Sequence, residues 1–166
     1  MTPSRRGRAC TTALRGEYAR VDLPLPARIA LIAQSYQRLL GEPLVASSGD
    51  LLGALREHPA VILAHGTEPD PRFFFANRAA LERFEATPEQ LVGSPSRLSA
   101  EAPLREERQA LLDRVARDGF ITDYAGVRIS AQGRRFRIEK AVVWNLIDEG
   151  GAVHGQAATF SRWTEL

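Results

Sequence analysis

The sequence predicts an α+β fold: one curved, five-stranded antiparallel sheet with helices on one face, plus an N-terminal helix. Three observations support it. Two short apolar stretches of strand character come first, at 60–64 and 73–75. A run of helical patterns follows, up to residue 118. Three longer strand patterns separated by short turns then close the chain as an antiparallel meander: 121–130, 135–147 and 153–163.

Residues 27–40 predict the N-terminal amphipathic helix. Its apolar positions recur every three or four residues: Ile29, Ile32, Ala33, Tyr36, Leu39 and Leu40. Gly41 is placed to end the helix, and Pro43 prevents it from resuming. A second, shorter helix is expected at 50–57, with Asp50 as its N-cap.

The stretch 73–84 predicts a strand that turns directly into a helix. Three phenylalanines favour an extended backbone, and Asn77 suits a helix N-cap. Further on, Thr87 and Gln90 have the spacing of a capping box, which opens a short helix that ends at Gly93.

A longer helix is expected over 104–118 and ends at Gly119. Its predicted buried stripe consists of Leu104, Leu111, Leu112 and Val115. Its predicted solvent face consists of Glu106, Arg108, Arg114 and Arg117.

The middle strand of the meander is expected to present one apolar face, because side chains alternate along a strand. That face would hold Phe136, Ile138, Lys140, Val142, Trp144 and Leu146. It would be the inner face if the strand is central, and Asn77 is a plausible partner for the Trp144 indole N–H. The alternative is a β-bulge at Lys140, which would turn the lysine to the other face.

Four blocks of sequence resemble the MEKHLA domain, a PAS-like family. They are HGTEPDPRFFFANRAALERF, SPSRLSAE, GVRIS and GRRFRIEKAVVWN, in this order. The resemblance covers roughly residues 28–163 and implies a single PAS-like sensory domain. In that fold the leading helix either covers the outer face of the sheet or pairs with a second copy.

Composition and charge divide the chain at residue 26. Apolar residues make up 44% of the 166, which is typical of a globular protein. Residues 1–26 hold five arginines against two acidic residues and are expected to form a basic flexible leader. The folded domain, 27–166, then has 17 basic and 18 acidic residues, which argues against a nucleic-acid partner. A membrane partner is not expected either, because no apolar run reaches the ~20 residues of a membrane span.

Cysteine and histidine usage bears on compartment and cofactor. Cys10 is the only cysteine, so a reducing cytoplasm is the expected location. Flavin–cysteine photochemistry needs a cysteine in the helical middle, and residues 78–119 contain none. Haem is disfavoured because that side has no histidine after His65, which could itself reach a pocket from its strand end. A surface or turn-stabilising imidazole is the alternative for His65, and the cofactor stays unknown. We also find no motif of an enzyme active site.

In a PAS-like fold the inner sheet face and the helices enclose a cavity. The expected ligand-binding residues are Phe75, Asn77, Leu111, Val115, Lys140, Val142 and Trp144. A buried Lys140 ammonium would need an anionic partner, either a ligand carboxylate or Glu82 or Glu85. The alternative for the apolar members is an ordinary core.

Three functions are compatible with these observations. The first is a sensory module that binds a small molecule or a partner protein, forms a homodimer through helix 27–40 and acts on a separate output protein. The second is an interaction module with a solid core and no ligand. The third is a small enzyme of the nuclear-transport-factor type, whose long helix would precede the sheet.

Overall fold

The computed structural model describes residues 23–46, 49–101 and 104–166. Cys10 and most of the predicted leader, 1–26, therefore lie outside the described residues. The helices are α1 (Leu25–Leu40), α2 (Leu51–Glu57), α3 (Arg78–Phe84), α4 (Pro88–Leu91) and α5 (Arg105–Asp118), with a 3₁₀ turn at Ser96–Ser99. The strands are β1 (Val61–His65), β2 (Phe73–Ala76), β3 (Phe120–Ile129), β4 (Arg135–Ile147), β5 (Val153–Phe160) and β6 (Arg162–Glu165).

The strands form one antiparallel sheet in the order β2-β1-β5-β4-β3, with β6 paired to β4. The sequence predicts five strands, and the structure has six in the part of the chain that it describes. The predicted strand 153–163 is divided at Ser161. β5 pairs with the second half of β4 and β6 with the first half, so the final strand bends beside a bend in its neighbour.

Helix α1 covers the outer face of the sheet. Ile32 is fully buried, and its carbonyl accepts a hydrogen bond from the Trp144 indole at 3.2 Å. The Tyr36 ring meets the Trp144 ring edge-on, with 4.9 Å between centroids. The Ser35 hydroxyl accepts from the backbone N–H of Ile147 at 2.8 Å. The centre of the predicted apolar stripe, Ile32 and Tyr36, is therefore buried within the chain.

Helices α3 to α5 cover the inner face. One inner cluster gathers around Phe84 and Phe136, whose rings meet edge-on at 5.4 Å. A second cluster joins Leu111 and Val115 of α5 to Val143 of β4. The sheet is thus enclosed on both faces, and β4 contributes side chains to both cores.

The side-chain order of β4 changes at Lys140. This residue is exposed and has a left-handed backbone, with φ of 52°. Phe136 and Ile138 face the inner side before it, and Trp144 lies in the outer core after it. The prediction that Lys140 shares a buried face with Trp144 was wrong. The alternative, a local bulge, is the one observed, because the left-handed residue breaks the two-residue alternation.

Asn77 joins three elements at the strand–helix corner. Its Oδ1 accepts hydrogen bonds from the backbone N–H groups of Ile62 and Ala80, both at 3.0 Å. The second of these is the predicted helix cap. Its Nδ2 donates to three carbonyls, those of Leu55, His58 and Ala60. Both ends of the amide are satisfied within the corner, so the predicted contact with Trp144 was wrong.

The predicted caps agree with the structure, although α1 begins at Leu25 instead of Ala27 and α4 ends at Leu91, before Gly93. Asp50 caps α2 through the Gly53 N–H at 2.9 Å, and Thr87 and Gln90 form the capping box of α4. Gly41 and Gly119 follow α1 and α5 with positive φ, which glycine adopts readily.

Candidate functional site

A small cavity lies between α5 and the inner face of the sheet. Its volume is about 60 Å³. Leu63, Phe73, Phe84, Ile138 and Phe160 line the apolar part. The polar part is lined by His65, Ser99, Arg108, Arg128 and Gln156. The lining therefore combines an apolar set of side chains, called here the apolar end, with a polar set, called the polar end.

His65 ends β1 and lines the polar end. Its side chain is buried, and neither ring nitrogen has a partner at full hydrogen-bond geometry in the described parts of the chain, although the Gly66 backbone and the Gln156 side chain lie close enough to raise its pKa slightly against the effect of burial. Burial, reinforced by the positive charge of Arg108, lowers the pKa of His65 to about 4. The imidazole is therefore neutral at pH 7, with one nitrogen available as a donor and the other as an acceptor.

Arg108 enters the cavity from the first half of α5. Its guanidinium is buried, and Nη2 donates to the Ser96 hydroxyl at 3.0 Å. Burial, and after it the like charge of Arg128, lowers the pKa of Arg108 to about 10. The group still carries its charge at neutral pH. The prediction that Arg108 lies on the solvent face of α5 was wrong.

Arg128 reaches the same cavity from β3. It donates to its neighbour's carbonyl, Val127 O, at 2.8 Å and to the Tyr124 hydroxyl at 3.3 Å. A Cβ atom at Gly126 would lie 2.4 Å from that hydroxyl, so a glycine here leaves room for the tyrosine and the arginine. Within the described residues, neither buried arginine forms a salt bridge with a carboxylate.

Two amides fix the end of the cavity next to α5. Gln156 donates to the Leu112 carbonyl at 3.0 Å and to Asn145 Oδ1 at 3.2 Å. Asn145 in turn donates to the Val115 carbonyl at 3.0 Å. This ladder satisfies carbonyls of the second half of α5 and holds the helix against β4 and β5.

An open cleft of about 460 Å³ adjoins the cavity. His65, Arg108, Leu112 and Gln156 line both. The cleft also contains the loop 66–71, whose Asp70 is paired with Arg97 at 3.2 Å. The shared residues define a polar passage from solvent to the cavity.

The structure disperses most of the predicted site residues. Leu111 lines the cavity, and Val115 packs beside it in the same cluster. Phe75, Val142 and Trp144 belong to the outer core beneath α1. The Asn77 side chain makes its hydrogen bonds to the backbone at the strand–helix corner. Lys140 is exposed. The prediction that these seven residues surround one cavity was wrong, chiefly because the bulge exchanges the two faces of β4.

The residues that sequence reasoning missed are Arg108, Arg128 and Gln156. Arg108 precedes Leu111 by three residues and Val115 by seven, which is the spacing of the buried stripe. That spacing could have identified it. Arg128 and Gln156 have no comparable signal in the sequence. Each lies in a strand with a shift in pairing register, so simple alternation does not reveal which of its side chains face inward.

Within the described ranges, no cluster of metal-ligating side chains is found, and no helix is long and apolar enough to cross a membrane.

Comparison with known proteins identifies sequence relatives. The profile of the MEKHLA domain family matches residues 27–165. The homeobox-leucine zipper protein HOX29 of Oryza sativa subsp. japonica is 30% identical over 142 residues, covering 81% of this chain and 16% of that protein. REVOLUTA of Arabidopsis thaliana, also a homeobox-leucine zipper protein, is 28% identical over 142 residues, covering 80% of this chain and 17% of that protein. The chain thus spans about a sixth of the length of these relatives.

Solved structures share the fold. A PAS domain from Colwellia psychrerythraea superposes with a TM-score of 0.59 at 14% identity, over 69% of this chain and 92% of that one. An RNA-binding light-oxygen-voltage receptor superposes with a TM-score of 0.58 at 17% identity, over 72% of this chain and 36% of that one. At these identities the likeness concerns the fold alone, and it confirms the predicted PAS-like architecture.

Proposed function

Because this chain belongs to the MEKHLA domain family, which is a PAS-like sensory family, we propose that it binds a small molecule non-covalently in the cavity under α5. The observation that carries the proposal is His65. A buried polar group without a partner is costly unless water or a ligand supplies one. Among the described residues, neither ring nitrogen of His65 has a partner at full hydrogen-bond geometry, the nearest polar groups being Gln156 and the Gly66 backbone, and the residue lines the cavity.

The size of the cavity limits the ligand. Small-molecule sites that enclose drug-sized ligands have volumes of about 300–1,000 Å³. The present volume, about 60 Å³, suits a far smaller molecule unless the adjoining cleft also takes part. A ligand of flavin size would not fit within the cavity.

Strand β4 offers a route for the signal. Val143 lines the cavity, and the next residue, Trp144, lies beneath α1. A ligand that displaces β4 would therefore act on α1 through Trp144 and through the Ser35 hydrogen bonds with Ile147. We propose α1 as the element that transmits the bound state. The predicted homodimer and cytoplasmic location stay predictions.

Native mass spectrometry of the freshly purified chain tests the proposal, since it detects a bound small molecule directly. Ala158→Leu should fill part of the cavity and abolish the bound mass, because Ala158 lines it. Ala110→Leu is the control, since it adds the same volume on the exposed side of α5.

The emission of Trp144 tests the route, with Trp163→Phe removing the second indole. Addition of a bound molecule should shift that emission, and Ala158→Leu should prevent the shift. If no molecule co-purifies and Ala158→Leu only stabilises the fold, the cavity is a packing defect. The ligand-free interaction module is then the better function.

A further inference from the structure

Resting on the proposed function, we propose that the ligand is a short-chain monocarboxylate. Its carboxylate would be held between Arg108 and Arg128, and its alkyl chain would lie against the phenylalanines of the apolar end.

The charge of the polar end is the first argument. Arg108 and Arg128 both line the cavity and are both buried. A buried charge is unfavourable unless an opposite charge compensates it. Within the described residues no carboxylate is paired with either guanidinium, and the like charge of Arg128 adds to burial in lowering the pKa of Arg108. An anion between them would supply the missing charge.

Unused donors are the second argument. The hydrogen bonds of Arg108 in the described chain involve Nη2 alone, so Nε and Nη1 have no protein acceptor there. The fork of a guanidinium matches the two oxygens of a carboxylate. His65, which is neutral, can donate a further hydrogen bond from either ring nitrogen, depending on its tautomer.

The carboxylates near the cavity do not compete for this role. Asp70 on the rim of the cleft is paired with Arg97, and Asp113 accepts from Gln109 at 3.0 Å. Glu68 accepts from the backbone N–H of Arg72. Within the described residues none of these three carboxylates forms a salt bridge with Arg108 or Arg128.

The apolar end determines the polarity and length of the part of the ligand beyond its carboxylate. Apart from its polar side chains, the lining is aliphatic and aromatic, with Leu63, Phe73, Phe84 and Phe160. The cavity volume of about 60 Å³ is far below the volume of sites for drug-sized ligands, so the alkyl chain must be short. A carboxylate with one to three further carbons meets this limit. Inorganic phosphate would leave the apolar end empty.

Isothermal titration calorimetry on the full chain tests the inference. The probes are a series from acetate to hexanoate, with 1-butanol, butylamine and inorganic phosphate as comparisons. We expect the tightest binding at propionate or butyrate and a decline at hexanoate, because the apolar end is short. Arg108→Met and Arg128→Gln should each weaken binding by about tenfold or more, since each removes charged hydrogen bonds. Arg114→Gln, an exposed arginine of the same helix, is the matched control and should leave binding unchanged.

Stability separates a ligand role from a structural role. Arg108→Met should keep or raise the melting temperature without ligand, because it removes an uncompensated buried charge. If Arg108 were only structural, Arg108→Met would lower the melting temperature and leave carboxylate affinity unchanged wherever the chain still folds. Arg128→Gln provides the same comparison if Arg108→Met does not fold.

The remaining outcomes distinguish the two proposals. Equal binding of 1-butanol or butylamine, or binding of phosphate alone, would overturn the monocarboxylate but leave the sensory cavity standing. A co-purifying molecule without an acidic group would do the same. Absence of binding for every probe, together with no co-purifying mass, would reject both the ligand class and the proposed small-molecule function.

Discussion

Lys140 is a lysine in a backbone conformation that glycine adopts more readily. Lys140→Gly should raise the free energy of unfolding by about 0.5–1 kcal/mol, because it relieves the left-handed strain while removing an exposed side chain. Urea denaturation measures the change. Arg137→Gly, at an exposed position of the same strand without a positive φ, should instead lower stability. Equal losses at both positions would contradict the argument.

His65 should make the stability of the fold depend on pH. Its pKa is about 4 in the folded chain and about 6.5 when unfolded. Between these values the unfolded chain binds more protons. The free energy of unfolding should therefore be fully retained above pH 6.5 and fall as the pH is lowered toward 4, by roughly 3 kcal/mol in all.

Chemical denaturation at several pH values, with and without His65→Gln, measures this contribution. The variant should lose that part of the pH dependence which lies between pH 6.5 and 4. The groups that face His65 are Arg108 of α5 and Gln156 of β5, and neither changes charge in this range. An identical pH profile for the two proteins would exclude His65 as the source.

Single residues also show where sequence reasoning fails. Asn77 was predictable as a cap because a cap depends on local geometry. Its bonds to Leu55, His58 and Ala60 depend on how three elements meet, and no local pattern encodes that. Arg108 was assigned to solvent by residue type, although its spacing placed it on the buried stripe.

At the scale of elements, α1 is the piece whose role the structure changes. Ile32→Glu should unfold the chain or detach α1, because it places a charge at a fully buried position against β4. Circular dichroism and size-exclusion chromatography would detect the loss of structure. Gln34→Glu adds the same charge on the exposed side and should have little effect. If the parent chain is a dimer and Ile32→Glu is a folded monomer, the result would instead support the predicted dimer interface on this helix.

Most elements were predictable, and the exceptions share a cause. Helices with caps and a clear period appear close to their expected bounds, as α1 and α5 do. The last strand was predicted as continuous because 153–163 contains no breaker at Ser161. Its bend follows from the neighbouring strand, so it is a tertiary effect that strand propensity does not report.

At the scale of the molecule, the order of blocks was enough to predict a PAS-like fold. The cavity was not, because its lining depends on which face each strand presents. One change in parity within β4 moved Trp144 from the predicted ligand site to the core under α1. A single wrong assignment of strand parity therefore leaves the predicted fold correct but misplaces the predicted site.

The N-terminal boundary can be tested on the whole chain. The predicted leader, 1–26, overlaps the described structure, since α1 begins at Leu25 and Leu23 packs against the outer core. A chain that starts at Leu23 should melt within a few degrees of the full sequence. One that starts at Ala27 should melt lower, because it lacks Leu23 and the first residues of α1. Differential scanning calorimetry compares them, and a large loss on removing 1–22 would contradict the prediction.

The bulge at Lys140 also affects which insertions and deletions this domain can accept during evolution. Lys140 is the extra residue of the strand, and its exposed side chain belongs to neither core. Deleting Lys140 would leave every one of these side chains on its own face, because Ile138 and Ala141 would then be two positions apart. Simple alternation would keep Phe136 and Ile138 on the inner side and Trp144 and Leu146 on the outer side. The bulge can therefore be lost among descendants by deletion of this one residue, while the side chains before and after it keep their faces.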